Sequence, residues 1–150
     1  MGRLLMHGTC VAFGTDAALL RGDSGAGKSD LALRFVALPP EADREPKLIA
    51  DDQVWIEGCG GGALLVGAPP TLAGKIEVRG LGIMPVAHLA QGRLVLVVDL
   101  VSREEVPRMP PEPSDTVTIA GVAVPRLLLA PFEPSAPLKL KMALLLASSQ

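Results

Sequence analysis

The segment RGDSGAGKSD, residues 21–30, constrains the fold more than any other part of the chain. It follows the apolar run Ala17-Ala18-Leu19-Leu20 and precedes Leu31, Ala32, Phe35, Val36 and Leu38, whose spacing is that of one helix face. A strand, a glycine loop and a helix in that order make a phosphate cradle. Glycines let backbone N–H groups converge on an anion, and the helix turns its unpaired N–H groups and positive dipole end to the same point. Gly22, Asp23, Ser24, Gly25, Ala26, Gly27, Lys28 and Ser29 satisfy the pattern G-x-x-x-x-G-K-[ST] in full. Lys28 is placed to reach the β- and γ-phosphates of a nucleotide as a point charge, and the Ser29 hydroxyl to ligate Mg²⁺.

The rest of the chain fits a single α/β domain over residues 1–150 built around that loop. A chain of 150 residues buries roughly 68–70% of the surface that its unfolded form exposes. A hydrophobic share of 49% with 3% aromatics and no tyrosine calls for a core of Leu, Val and Ala, as buried strands and their covering helices require. A formal charge of −2 gives no reason for a nucleic-acid or membrane partner. No apolar run approaches the roughly 18 residues of a membrane span, so a soluble, cytoplasmic protein is expected. Cys10 and Cys59 lie far apart with no second metal-type cluster, which fits a reduced setting and small core or turn roles.

Strands are expected at Cys10–Phe13 and Ala17–Arg21 around the turn Gly14-Thr15-Asp16, and a helix over Ser29–Leu38 that Pro39-Pro40 ends. Glu41–Pro46 reads as a loop and Lys47–Ala50 as a strand. Gln53–Glu57 and Ala63–Val66 form a hairpin across the glycines at 58 and 60–62. Lys75–Gly82 alternates as an extended segment, and Arg79-Gly80-Leu81-Gly82 suggests a backbone turn with positive φ. Leu94–Leu100 is the most apolar strand. Residues 102–115, rich in proline and acidic side chains, read as a mobile loop. A hairpin around Gly121 over Thr116–Val124 and a helix over Ala136–Ala147 complete the chain.

Leu48-Ile49-Ala50 delivers Asp51 and Asp52 to the end of a buried strand. In a P-loop domain one carboxylate there sits beside Mg²⁺ and a second can accept a proton from the attacking oxygen. On that logic Asp51 orients the metal or its waters and Asp52 acts as the base, although alternation along the strand leaves open which does which. Glu77 and Arg79 alternate with Ile76 and Val78 and pair an acid for Mg²⁺ with a cation for phosphate, or else form an ordinary salt-bridged outer face. His7, His88 and Arg108 carry little weight as isolated residues.

Taken in order, these pieces resemble the catalytic domain of the HPr(Ser) kinase/phosphorylase family. The resemblance rests on His7-Gly8, GDSGAGKSD at 22–30, LIADDQV at 48–54, GAPP at 67–70 and IEVRGLGIMPV at 76–86. It implies a P-loop kinase domain with a central mixed β-sheet flanked by helices, which uses ATP and Mg²⁺ to phosphorylate a serine of the phosphocarrier protein HPr. It also implies a reverse reaction, with inorganic phosphate as acceptor and pyrophosphate as product, and assembly as a homo-oligomer, a hexamer in the family. His7, Lys28 and Asp52 would then lie in the catalytic centre with Asp51 and Arg79 beside them. Ser29, Glu77 and Asp51 would face Mg²⁺, and Arg108 would be the arginine of the mobile loop.

Some positions depart from the family pattern. Asp30 stands where glutamate is common, and the stretch from Leu38 to Pro46 is longer than usual. Val122–Pro131 carries one arginine, Arg126, where a more basic, glycine-containing stretch serves the dephosphorylating reaction. The family's usual additional N-terminal domain has no counterpart in the matched segment. Two alternatives stay open: a P-loop kinase for another small protein or a metabolite, and a nucleotide-sensing module without transfer activity.

Overall fold

The structure, a computed structural model, describes residues 2–148. Leu4–His7 (β1) and Thr9–Phe13 (β2) are separated only by Gly8, and β2 turns back at Gly14 into Asp16–Arg21 (β3). The glycine loop follows, then helix Lys28–Val36 (α1). Pro46–Ala50 (β4) and Gln53–Gly58 (β5) flank the two aspartates and lead into Leu64–Gly67 (β6). Lys75–Val78 (β7) and Gly82–Pro85 (β8) form a separate two-stranded hairpin. The ten-residue Gln91–Leu100 (β9), then Thr116–Ile119 (β10), Val122–Leu129 (β11) and helix Ala136–Ser148 (α2) complete the fold.

The main sheet is mixed. β9 runs parallel to β3 on one side and, through its carboxyl half, parallel to β11 on the other. The remaining pairings are antiparallel, and the strand path reads β1-β5-β6-β9-β3-β2-β4. Because β1 continues into β2 while β5 continues from β4, and the two runs pair with each other, the path returns upon itself and the sheet curls round.

Period-two alternation explains why such a sheet holds two separate cores. Cys10 and Ala12 of β2 and Ala17 and Leu19 of β3 face inward with Val54, Ile56 and Val66, and so do Leu94 and Val97 of β9, whose alternation is shifted by one residue where Ala17 and Ala18 pair with Leu94 and Leu96. Their neighbours Val11, Phe13, Ala18, Leu20 and Val98 face the other way and pack beneath Leu31, Ala32 and Phe35 of α1 and Leu140 and Leu144 of α2. Phe13 and Phe35 meet edge to face at 6.5 Å between ring centroids. Both helices therefore cover the same face of the sheet, and their buried stripe is what fixes α1 behind the glycine loop.

The expected strands and helices are present within a residue or two at their ends, except that β9 begins at Gln91, three residues before the expected Leu94, and there are three further differences. β1 was not anticipated, because its Leu4 and Leu5 are exposed and show no alternation. The segment 75–82 takes the expected positive-φ turn at Arg79–Gly82, with Gly80 and Gly82 both at φ 91, but that turn closes a hairpin, so Arg79 lies in it and does not alternate in line with Glu77. β11 runs on to Leu129 through Pro125 and Arg126, beyond the expected hairpin end at Val124. The stretch 102–115 is exposed and irregular apart from one turn of 3₁₀-helix at Arg103–Glu105. Cys10 is buried, which pushes its thiol pKa up, and Cys59 is exposed in the β5–β6 connection.

Candidate active site

The glycine loop spans the end of β3 and the start of α1. Gly25 takes φ 86 and Gly27 φ 100, a region closed to most side chains, so these two positions require glycine. The first intrahelical bond runs from Leu31 N–H to the Gly27 carbonyl at 2.9 Å, which leaves the amides of the first turn directed at the loop. Lys28 is buried to 7% exposure, and its Nζ donates to the carbonyls of Gly22 (2.6 Å) and Asp23 (3.0 Å). The cation thus lies across the loop it serves, held by neutral acceptors and by no carboxylate.

The two aspartates divide sharply. Asp51, buried at the end of β4, accepts hydrogen bonds on Oδ1 from the Ser29 hydroxyl at 2.7 Å and from the buried Thr9 hydroxyl at 3.0 Å. Asp52 takes φ 73, which turns the chain between β4 and β5; its carbonyl accepts from Gly8 N–H at 2.9 Å. Its side chain is exposed, with Oδ1 3.1 Å from Nε2 of His7, so a protonated Nε2 donates to it. One carboxylate is bound to Ser29, at the end of the glycine loop, and its neighbour is open to solvent beside an imidazole.

Glu77 and Arg79 are exposed on the β7–β8 hairpin, which is anchored to α1 through the buried Ile76. Arg108 lies in the exposed 102–115 stretch. Among the described residues, no hydrogen bond or ion pair links Glu77, Arg79 or Arg108 to the glycine loop or to the aspartates. The structure thus ties Ser29 to Asp51 and His7 to Asp52, holds Lys28 across the glycine loop, and links none of the other three to them by a hydrogen bond or ion pair.

Thr9 is a site residue that sequence reading missed. So is a charge cluster at the base of the loop. Arg21, the residue before Gly22, donates twice to Asp99 of β9 (2.8 and 2.9 Å), and Arg126 of β11 donates to the same carboxylate at 2.5 Å. Arg126 also lies 3.5 Å from Asp115. Burial alone would raise the Asp99 pKa, but the hydrogen bonds from Arg21 and Arg126 outweigh it and hold the carboxyl below its usual value. An aspartate within an apolar strand was the available signal, since a charge there needs a partner. Its partners are 78 and 27 residues away, out of reach of any local pattern.

The Ser29 hydroxyl and the Asp51 carboxylate are hard oxygen donors side by side. Among the described residues no three His, Cys, Asp or Glu side chains converge as a metal cage. The donor set suits Mg²⁺, which keeps waters and takes substrate phosphates alongside one or two carboxylates.

A strand, glycine loop and helix, with paired carboxylates at the end of β4 two strands away, define an α/β domain of the P-loop type by motif and fold. Residues 2–135 match the family described as HPr Serine kinase C-terminal domain, and the chain belongs to that family. It is 32% identical over 136 residues to the HPr kinase/phosphorylase of Burkholderia lata, an alignment that covers 85% of this chain and 40% of that protein. With the HPr kinase/phosphorylase of Lacticaseibacillus casei it shares 40% identity over 87 residues, 58% of this chain and 25% of the relative. The chain therefore spans well under half the length of these curated relatives. The Hpr(Ser) kinase/phosphatase structure from Coxiella burnetii superposes with a TM-score of 0.76 at 25% identity, covering 97% of this chain and 96% of that one.

Proposed function

We propose that this domain transfers the γ-phosphoryl group of ATP to a seryl hydroxyl of HPr. The observation that carries the reading is the division between the two aspartates: Asp51 bound to the phosphate loop through Ser29, and Asp52 exposed one residue away beside His7. Lys28 and the loop amides hold the polyphosphate and take up the charge that develops on the transferring group. Mg²⁺, held by Ser29 and Asp51 with Glu77 as the outer acid, would supply further neutralisation of the phosphate oxygens. Asp52 accepts the seryl proton as the serine oxygen attacks phosphorus, and the bond from phosphorus to the ADP oxygen breaks. His7 fixes the carboxylate in the orientation that this transfer needs.

In the reverse direction a protonated Asp52 returns its proton to the departing seryl oxygen while inorganic phosphate takes the phosphoryl group and leaves as pyrophosphate. A base in one direction must be an acid in the other. Arg79 and Arg108 are assigned to close on the transferring phosphate from the hairpin and the 102–115 loop. The working form proposed with this reading is a cytoplasmic homo-oligomer, a hexamer, by resemblance to the family.

The test is to incubate the protein with ATP, Mg²⁺ and HPr and to locate phosphoserine by mass spectrometry. Asp52→Ala is expected to lower transfer by about 10²- to 10⁴-fold while ATP affinity by calorimetry stays near that of the parent. Undiminished transfer in the variant would remove Asp52 from the mechanism, and no phosphoserine with the parent protein would remove HPr as acceptor.

A further inference from the structure

The glycine loop has two flanks. The β4 end with its aspartates lies on the side of β2, and the opposite side is taken by β9 and β11. Strands β3, β9 and β11 are mutually parallel, so their carboxyl ends emerge together, and these ends carry the glycine loop, residues 101–103 and residues 130–134. Crevices outside the carboxyl ends of neighbouring parallel strands are where α/β sheets take their ligands.

A cleft of about 380 Å³ opens there, lined by Val101, Ser102, Arg103, Ala130, Pro131 and Phe132 among others, in the size range of small-ligand sites. Phe132 is 69% exposed at its wall, a large aromatic side chain left open to water. Its ring borders the phosphate loop directly, since a Cβ placed on Gly27 would lie 2.9 Å from the Phe132 Cζ. The platform is tied down from behind: Arg34 of α1 donates to the carbonyl of Glu133 at 3.2 Å and to the carbonyl of Pro131. Arg103 lies on the rim, 3.6 Å from the Glu133 carboxylate.

We propose that this cleft receives the base of the bound nucleotide, with the Phe132 ring as its stacking face. The proposal rests on the reading that the glycine loop holds a nucleotide's phosphates, and it places the base on the flank opposite Asp51 and Asp52. An aromatic face held at the edge of a phosphate loop offers a planar base a contact that a bare polyphosphate cannot use.

The experiment compares binding of magnesium–ATP and of magnesium–tripolyphosphate by calorimetry in the parent protein, Phe132→Ala and Phe132→Trp. Phe132 contributes little to either core, so truncation leaves the fold intact. Phe132→Ala is expected to weaken ATP by about tenfold and leave tripolyphosphate unchanged, while Phe132→Trp keeps the parent affinity for ATP. Equal ATP binding in the parent and Phe132→Ala overturns the proposal, as does parallel weakening of both ligands. If the parent takes tripolyphosphate as tightly as ATP, the phosphate site stands and the base cleft is overturned. If the parent takes neither, the nucleotide reading itself falls and the cleft with it.

Discussion

Two carboxylates on either side of β3 face opposite fates. Asp99, on β9, is gripped by two guanidinium groups, and its charge is matched within the protein. Asp51, at the end of β4 on the other side, meets only the hydroxyls of Ser29 and Thr9, and among the described residues no lysine or arginine pairs with it or with Asp52. Hydroxyls satisfy hydrogen-bonding capacity without cancelling charge. The difference separates an acid whose charge is matched within the fold from one whose charge is not: a matched charge stabilises the fold, whereas an unmatched one costs stability, and under the proposed function Asp51 is the acid that takes the metal.

Asp51→Asn gives the largest expected effect. It should weaken magnesium-dependent ATP binding by about 10- to 100-fold, read by calorimetry at varied Mg²⁺. It should also leave the melting temperature unchanged or higher, because an uncompensated buried charge has gone. A clear drop in melting temperature would make Asp51 structural and dissolve the contrast.

Asp99→Asn should do the converse, lowering stability by about 2 kcal/mol in denaturant unfolding, since it breaks charged hydrogen bonds to two arginines. Because the folded pKa of Asp99 is depressed, that stability is present above the unfolded carboxyl pKa of about 4 and is lost as pH falls through the lower folded value. The gap between parent and variant should therefore close on acidification; a gap that persists at low pH would mean that the arginines were not its source.

The smallest effect belongs to His7→Gln. The His7–Asp52 pair is exposed on both sides, and its loss should alter stability by under about 0.5 kcal/mol. A larger loss would place this pair with Asp99 and not with Asp51.

These contrasts were only partly legible in the sequence. The glycine loop, its strand and its helix follow from patterns confined to some twenty neighbouring residues, and so does the acidic strand end. The burial of Asp51 and the exposure of Asp52 could not be derived from alternation, because they depend on a left-handed backbone at Asp52 that interrupts the pattern on which strand reading relies. β1 escaped notice because an exposed strand carries no buried face to pattern. The Asp99 cluster and the Phe132 cleft depend on pairing between strands remote in sequence, as does the curling of the sheet.

One such pairing governs when the site can come into being. β3, which presents the glycine loop, is flanked on one side by β2 from its own hairpin, but on the other by β9, whose register sets Asp16 against Arg93 and Arg21 against Asp99. Closing so long an interval is a slow, late event in folding. In order of synthesis the glycine loop is complete at residue 29, yet the strand that flanks β3 on this side is complete only at residue 100, 71 residues later.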